Sequence, residues 1–357
     1  MACKEMKKVL IDFSNLGSMC GFGEICYNYA HHLAQLKLED MHFVFLVPKE
    51  WVGHFGDNVD YVEDEKKYRH STSNLPKVDL WHSTDQQYHY RSQSKDTINV
   101  LTIHDVNFIY EKPYWKRWRY IWKLQHRIKG SDYITTITNY VNNDICNHLN
   151  LYGKKSQVIH NGVRNMAEDS ESIPSFVKDP HEKFFFTIGQ IRTKKNFHVL
   201  VQLMKYFPDH RLYISGDDHF DYADVIRDYI EKEGCGRSFL TGKISPEEKK
   251  WLYKNCDAFL FPSKLEGFGI PIIEAMRFGR AVFSSKCSSL PEVCGKYAFM
   301  WDNFEPEYMA EIIHNGLDGF YENKEQIEEM KRYAYEFSYE HYTDEYVSLY
   351  RRLLDKK

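Results

Sequence analysis

Short apolar runs of four to six residues recur along the chain, and longer stretches with apolar positions three and four apart lie between most of them. The short runs predict β-strands at residues 8–13, 43–47, 100–103, 133–137, 157–160, 184–188, 211–215, 258–261 and 281–284. The periodic stretches predict helices at 25–36, 197–204, 222–233 and 247–255. Strands alternating with helices imply the α/β class, with a parallel sheet covered on both faces. In such sheets ligands sit beyond the C-terminal ends of the strands, so the strand-to-helix loops are the places to search.

Two strand–helix series are visible. Between them lies a polar stretch, residues 166–179, whose Glu-Asp-Ser-Glu-Ser-Ile-Pro-Ser composition offers little to bury. This predicts two doubly wound domains, residues 1–165 and 180–335, joined by a linker. The length of 357 residues suits two domains.

Composition narrows the class without changing that picture. Hydrophobic and charged shares of 43% and 27% are those of a soluble globular protein. A net charge of -4 argues against a protein that coats nucleic acid over its whole surface, and no nucleic-acid partner is expected. The 26 Tyr and 23 Phe give an aromatic excess that suits stacking on sugars or bases. None of the 8 cysteines forms a Cys-x-x-Cys pair, which points to reduced thiols in the cytoplasm. The apolar stretch 9–11 is too short for a signal-peptide core, and no apolar run approaches the roughly 18 residues of a membrane span. The expected location is therefore cytoplasmic, with attachment to the inner face of a membrane left open.

The loop after strand 258–261 carries the strongest chemistry. It reads Ser263-Lys264-Leu265-Glu266-Gly267-Phe268-Gly269-Ile270-Pro271, followed by a helix that Gly279 closes. Pro271 suits a first helical turn, and a helix start presents N–H groups and a positive dipole end to a diphosphate. Glu266 precedes the turn, where it can face a sugar. Glu274 is placed in the first helical turn, where it can accept from ribose hydroxyls. The plainer alternative is a tight loop with Glu274 as a helix-start charge.

Four further segments fall at strand ends. Ile188-Gly189-Gln190-Ile191-Arg192-Thr193-Lys194-Lys195-Asn196 is a glycine turn followed by cations that can neutralise a diphosphate leaving group. Ile103-His104-Asp105 places a histidine at a buried strand's end. Gly21 and Gly23 form a Gly-x-Gly before a helix, without the full dinucleotide fingerprint or an acidic ribose anchor. Gly216, in Ser215-Gly216-Asp217, and Ile244, in Thr241-Gly242-Lys243-Ile244-Ser245, follow later strands.

Glu266 and Glu274, with seven residues between them and Gly-Phe-Gly inside, resemble the Glu-x7-Glu signature of retaining glycosyltransferases of GT-B architecture. Ser288-Ser289-Leu290-Pro291-Glu292-Val293 and the colinear order of the other segments are similar to the large group 1 family containing bacterial mannosyltransferases. The resemblance implies two Rossmann-like domains facing a cleft, with a C-terminal helix at 339–357 completing the first. It implies that Glu266, His104 and Lys195 serve catalysis, with His104 at the donor sugar. Arg192, Lys194, Gly267, Phe268, Gly269, Ile270, Glu274, Gly21, Gly23, Ile244 and Gly216 would bind the donor. Gln190 stands where similar enzymes often carry Arg, so Arg192 or Lys194 is expected to substitute. No Asp-x-Asp metal site or cofactor is implied. The partners implied are a nucleotide-diphosphate sugar, with mannose the best match, and a glycan or lipid-linked acceptor of surface polysaccharide or lipopolysaccharide synthesis. A nucleotide-sugar epimerase and a non-catalytic nucleotide-sugar-binding protein are the alternatives.

Residues 112–129 combine Trp115, Trp118 and Trp122 with Lys116, Arg119, Lys123 and Arg127 on a predicted helix. Either the aromatic face is core or the helix lies on a membrane surface. The core reading is the expectation.

Overall fold

The computed structural model describes residues 6–18 and 21–356. The chain divides into two compact units, Met1–Gly162 with Ser338–Lys357, and Val163–Phe337.

In the first unit, β1 (Lys7–Asp12), β2 (Met41–Val47), β3 (Asp60–Glu63), β4 (Leu80–Ser83), β5 (Ile98–Ile103), β6 (Tyr133–Thr136) and β7 (Ser156–Val158) form one sheet. The order is β3-β2-β1-β4-β5-β6-β7 and the pairings are parallel. Val9, Leu10 and Ile11 of β1 are buried on both sheet faces, as expected of a strand covered twice. The helix Tyr339–Leu354 packs on this unit, capped by the Ser338 hydroxyl, which accepts from His341 N at 3.1 Å. Its Tyr342, Tyr346 and Tyr350, four apart, form one buried face.

A neutral polar network fastens that helix to the sheet. The Tyr350 hydroxyl lies 2.7 Å from the Tyr29 hydroxyl and 2.6 Å from His82 Nδ1. His82 Nε2 lies 2.7 Å from Thr102 Oγ1, and Tyr346 reaches both Thr102 and Thr135. Burial drives the His82 pKa down to about 3, so the ring is neutral.

In the second unit, β8 (Lys183–Ile188), β9 (His210–Ser215), β10 (Ser238–Gly242), β11 (Ala258–Phe261), β12 (Ala281–Ser285) and β13 (Phe299–Trp301) are ordered β10-β9-β8-β11-β12-β13. These pairings are parallel as well. Phe184, Phe185 and Phe186 run consecutively through the middle of β8, all fully buried. The strand order reverses between β1 and β4 in the first unit and between β8 and β11 in the second. Such switch points open a crevice at the strands' C-terminal ends.

The structure differs from the sequence expectation in several places. Four strands, β3, β4, β10 and β13, were not expected. β4 is central yet reads Leu-Trp-His-Ser, with polar His82 and Ser83 buried and His82 held by hydrogen bonds to Tyr350 and Thr102. Residues 166–179 are not a loose linker. They belong to the second unit, where Met166 and Val177 are buried and Lys250 Nζ donates to Ala167 O at 2.8 Å. The helix Tyr114–Gly130 does not bury its aromatic face: only Leu124 and Ile128 are buried, while Trp115, Trp118 and Trp122 are 70%, 63% and 66% exposed. Among the described residues no helix is long and apolar enough to cross a membrane.

Candidate active site

The second unit's switch point gathers the loops that follow β8 and β11. After β8 the chain passes Gly189 and Gln190 into a single 3-10 turn, Thr193–Lys195, ended by Asn196 in the left-handed conformation (φ 58°). Asparagine tolerates that conformation better than most residues. The turn directs Lys195 inward, with its ammonium 4.8 Å from the centre of the Phe261 ring.

Lys195 Nζ donates to Glu266 Oε1 at 2.5 Å, and Ser263 Oγ donates to the same oxygen at 2.6 Å. Both charged side chains are mostly buried, at 11% and 13% exposure. Burial alone would raise the Glu266 pKa. The charges of Lys195 and Lys194 and the hydrogen bonds from Lys195 and Ser263 outweigh it and hold the carboxyl below the ordinary glutamate range. Glu266 is therefore ionised at neutral pH.

The Glu266 loop is clasped by the segment after β12. Ser288, itself at φ 53°, accepts from Glu266 N at 2.9 Å through its hydroxyl. Ser289 Oγ donates to Glu266 O at 3.0 Å and to Phe268 O at 3.2 Å. Phe268 is buried and meets Phe337 edge-on. Gly267 and Ile270 are half-buried, and Gly269 caps the helix Ile270–Arg277 at φ 122° with Pro271 near its start. The Ser-Ser pair, read in sequence only as family-like, thus sets the backbone that presents Glu266.

Glu274 is the fifth residue of that helix, in its second turn rather than its first. It is 2% exposed, and its carboxylate accepts from Lys249 Nζ at 2.6 Å and Tyr253 OH at 2.7 Å. These two partners were not anticipated. Their signal in the sequence is weak, because Lys249 and Tyr253 sit on a different helix, Pro246–Asn255.

The remaining second-unit candidates surround the Gly189 turn. Gly189 N donates to Ser215 O at 3.0 Å, and Gly216 N to Gly242 O at 2.8 Å. A Cβ on Gly216 would lie 1.9 Å from Gly189 O, so only glycine permits this approach. Ile244 is half-buried in the next loop, before the capping box of Ser245 and Glu248. Lys194 is close enough to help depress Glu266, whereas Arg192 is exposed and its guanidinium lies 4.2 Å from the Phe220 ring centre.

His104, Gly21 and Gly23 belong to the first unit. His104 follows β5, and its Nε2 lies 2.8 Å from Thr84 O. A carbonyl only accepts, so Nε2 carries the proton. Burial pushes the imidazole below the ordinary histidine value, against Asp85, the Thr84 carbonyl and Asp105. Gly21 and Gly23 do not precede a helix as expected but open the helix Gly21–Gln35, and Phe22 in that first turn meets the His104 ring edge-on at 4.6 Å. A Cβ on Gly23 would lie 2.3 Å from Ser18 O, while one on Gly21 would meet nothing within 4 Å. Gln86 holds the turn from both sides, accepting from His104 N at 2.9 Å and donating to Asp105 O at 3.1 Å.

Asp12 was missed in the sequence. It ends β1, is buried, and accepts from Ser14 N at 3.0 Å. Burial raises its pKa to about 6, opposed by the Ser14 hydrogen bonds and reinforced by Asp64 and Asp85. An acidic residue closing the apolar run Val9-Leu10-Ile11 was the available signal. Among the described residues no group of three or more His, Cys, Asp or Glu is placed to hold a metal ion.

Residues 168–337 match the family described as glycosyl transferases group 1. The chain carries a group 1 glycosyltransferase domain. It is 30% identical over 164 residues to the serotype-specific mannosyltransferase WbdA of Escherichia coli, a match covering 43% of this chain and 20% of that protein. It is 28% identical over 196 residues to the O-antigen chain mannosyltransferase RfbU of Salmonella typhimurium, covering 54% of each. With the O-antigen chain mannosyltransferase C of Escherichia coli it shares 25% identity over 276 residues, 74% of this chain and 72% of the relative. The chain thus spans about a fifth of WbdA and about half of RfbU.

Sucrose-phosphate synthase from Thermosynechococcus elongatus superposes with a TM-score of 0.74 at 14% identity, covering 98% of this chain and 100% of that one. Anabaena HepE, solved with UDP-glucose, gives 0.72 at 15% identity, covering 97% and 100%. At such identities the likeness establishes the fold: two Rossmann-like parallel-sheet domains of the GT-B glycosyltransferases.

Proposed function

We propose that this group 1 glycosyltransferase transfers a hexose, best read as mannose from a guanosine diphosphate donor, with retention of anomeric configuration. The acceptor is a glycan or lipid-linked sugar of surface polysaccharide or lipopolysaccharide synthesis. The observation that carries the reading is the Lys195–Glu266 pair at the second unit's switch point. A buried cation and a buried, ionised carboxylate stand together at the crevice where a doubly wound sheet takes its ligand. The relatives named mannosyltransferases support the sugar.

In the reaction, the bond between sugar C1 and the diphosphate oxygen breaks, and the electron pair leaves with the diphosphate. The acceptor hydroxyl oxygen bonds to C1 from the same face, and its proton passes to the departing phosphate. Lys195 and Lys194 stabilise the charge on the leaving group; Arg192, held on Phe220, contributes less. Donor binding draws the Lys195 ammonium toward phosphate and leaves the Glu266 carboxylate to position the sugar and stabilise positive charge developing at C1. The amides around Gly269 and Ile270 and the loops of Gly216 and Ile244 hold the rest of the nucleotide. Glu274, anchored by Lys249 and Tyr253, offers its remaining lone pairs to ribose. No metal is required for this charge balance, so chelation with EDTA leaves turnover unchanged.

The test is incubation of the purified chain with GDP-mannose or UDP-glucose and octyl α-mannoside, followed by proton NMR of the anomeric signals. Acceptor-dependent release of GDP with an α-linked product supports the reading. A β-linked product would refute retention, and conversion of donor without acceptor would make the chain an epimerase.

A further inference from the structure

The helix Tyr114–Gly130 of the first unit carries six Lys or Arg and no Asp or Glu, in a chain of net charge -4. Its inner side is fixed to the unit. Leu124 and Ile128 are buried, Gln125 Nε2 donates to Asn150 O at 2.5 Å, and Arg127 Nη2 donates to Tyr88 O at 3.0 Å.

The outer side has an unusual order. Trp115, Trp118 and Trp122 recur at three- and four-residue spacing, so at about 100° per residue they form one stripe about 60° wide. Lys116, Arg119 and Lys123 form a second stripe beside it by the same rule. Tyr114, at the helix start, is 85% exposed. Beside Trp122 and Lys123 opens a cleft of about 330 Å³ bordered by Arg69, Arg91, Arg127 and Tyr88, with no carboxylate among its described lining residues.

Three tryptophans each more than 60% exposed are unfavourable against water alone. Indole rings are most stable where one part is apolar and another wet, at the headgroup level of a bilayer. Cations flanking such a stripe are attracted to anionic lipid. The stripes run along the helix, which suits a helix lying flat on a surface.

We propose that this helix docks the protein on an anionic phospholipid bilayer. The three tryptophans enter the headgroup region, Lys116, Arg119 and Lys123 engage lipid phosphates, and the adjoining cleft receives one headgroup phosphate. The inference stands on the helix alone and is independent of the donor and acceptor assigned above.

The test is co-sedimentation of the full chain with phosphatidylglycerol–phosphatidylcholine vesicles and with phosphatidylcholine vesicles. The wild type is expected to bind the first and not the second. The variant Lys116→Glu/Arg119→Glu/Lys123→Glu should bind on the order of a hundredfold more weakly. The variant Trp115→Ala/Trp118→Ala/Trp122→Ala should lose about tenfold or more. Because all six side chains are solvent-facing, both variants should keep the wild-type thermal transition. Equal binding by wild type and variants would overturn the proposal. So would failure of the wild type to bind, including the case in which it self-associates through the tryptophans.

Discussion

The switch points of the two sheets have the same topology but shift their titratable groups for different reasons. In the first unit burial prevails: Asp12 is raised to about 6 and His104 is pushed down, so both groups move toward their neutral forms. In the second unit Lys195 and Lys194 outweigh burial, and Glu266 is held ionised. The difference lies in what the loops bring. β8 leads into a turn with three cations, whereas β1 ends in Asp12, and Thr84 and His104 follow β4 and β5, with carbonyl partners. A crevice lined by cations suits an anionic diphosphate, whereas the first crevice carries carboxyl groups and a neutral imidazole.

The sharpest way to break this comparison is to remove charge from the second crevice. Lys195→Met and Glu266→Gln should each lower kcat by about 100- to 1000-fold, the scale of losing one preorganised electrostatic group. Circular dichroism should show the fold retained, and near-native turnover in either variant would remove the site assignment. In the first crevice, His104→Gln should cost about tenfold to a hundredfold, since it replaces the imidazole proposed to stand at the donor sugar with a group of different reach and geometry. An effect as large as that of Lys195→Met would place the decisive charge in the wrong unit.

The two neighbouring cations should then separate. Lys194→Ala should weaken donor affinity about tenfold, and Arg192→Ala less than threefold, because the Arg192 guanidinium is engaged with Phe220. The reverse order in a titration calorimeter would assign Arg192 to the position that Gln190 leaves uncharged.

The smallest effect is on stability, and its sign is informative. The folded-state pKa of Asp12 lies above its unfolded value, so its favourable contribution is complete below the unfolded value and disappears as pH rises through about 6. Asp12→Asn should therefore raise stability at pH 7 by about 1–3 kcal/mol in urea denaturation. The gain should vanish near pH 3. A stabilised variant with reduced turnover would mark Asp12 as a group kept for function.

How far the sequence reaches depends on what kind of residue carries each feature. β8 and β11 were legible because their buried runs are apolar, and the Glu266 turn because glycine and proline punctuate it. β4 was not, since His82 is buried by hydrogen bonds to Tyr350 and Thr102, partners 268 and 20 residues away. The Lys195–Glu266 contact spans 71 residues, so its two members could be named but not their distance. Glu274 shows the same limit: its spacing was plain, but its burial against Lys249 and Tyr253 depends on a neighbouring helix. The Trp115 helix failed differently, because periodicity gives the stripe but not which side of it meets the sheet.

The most direct test of the charged crevice is calorimetric titration of GDP into the wild type, Lys195→Met and Asp12→Asn at matched ionic strength. The account predicts about a hundredfold weaker binding for Lys195→Met and wild-type affinity for Asp12→Asn. Equal GDP affinity in the wild type and Lys195→Met would contradict it.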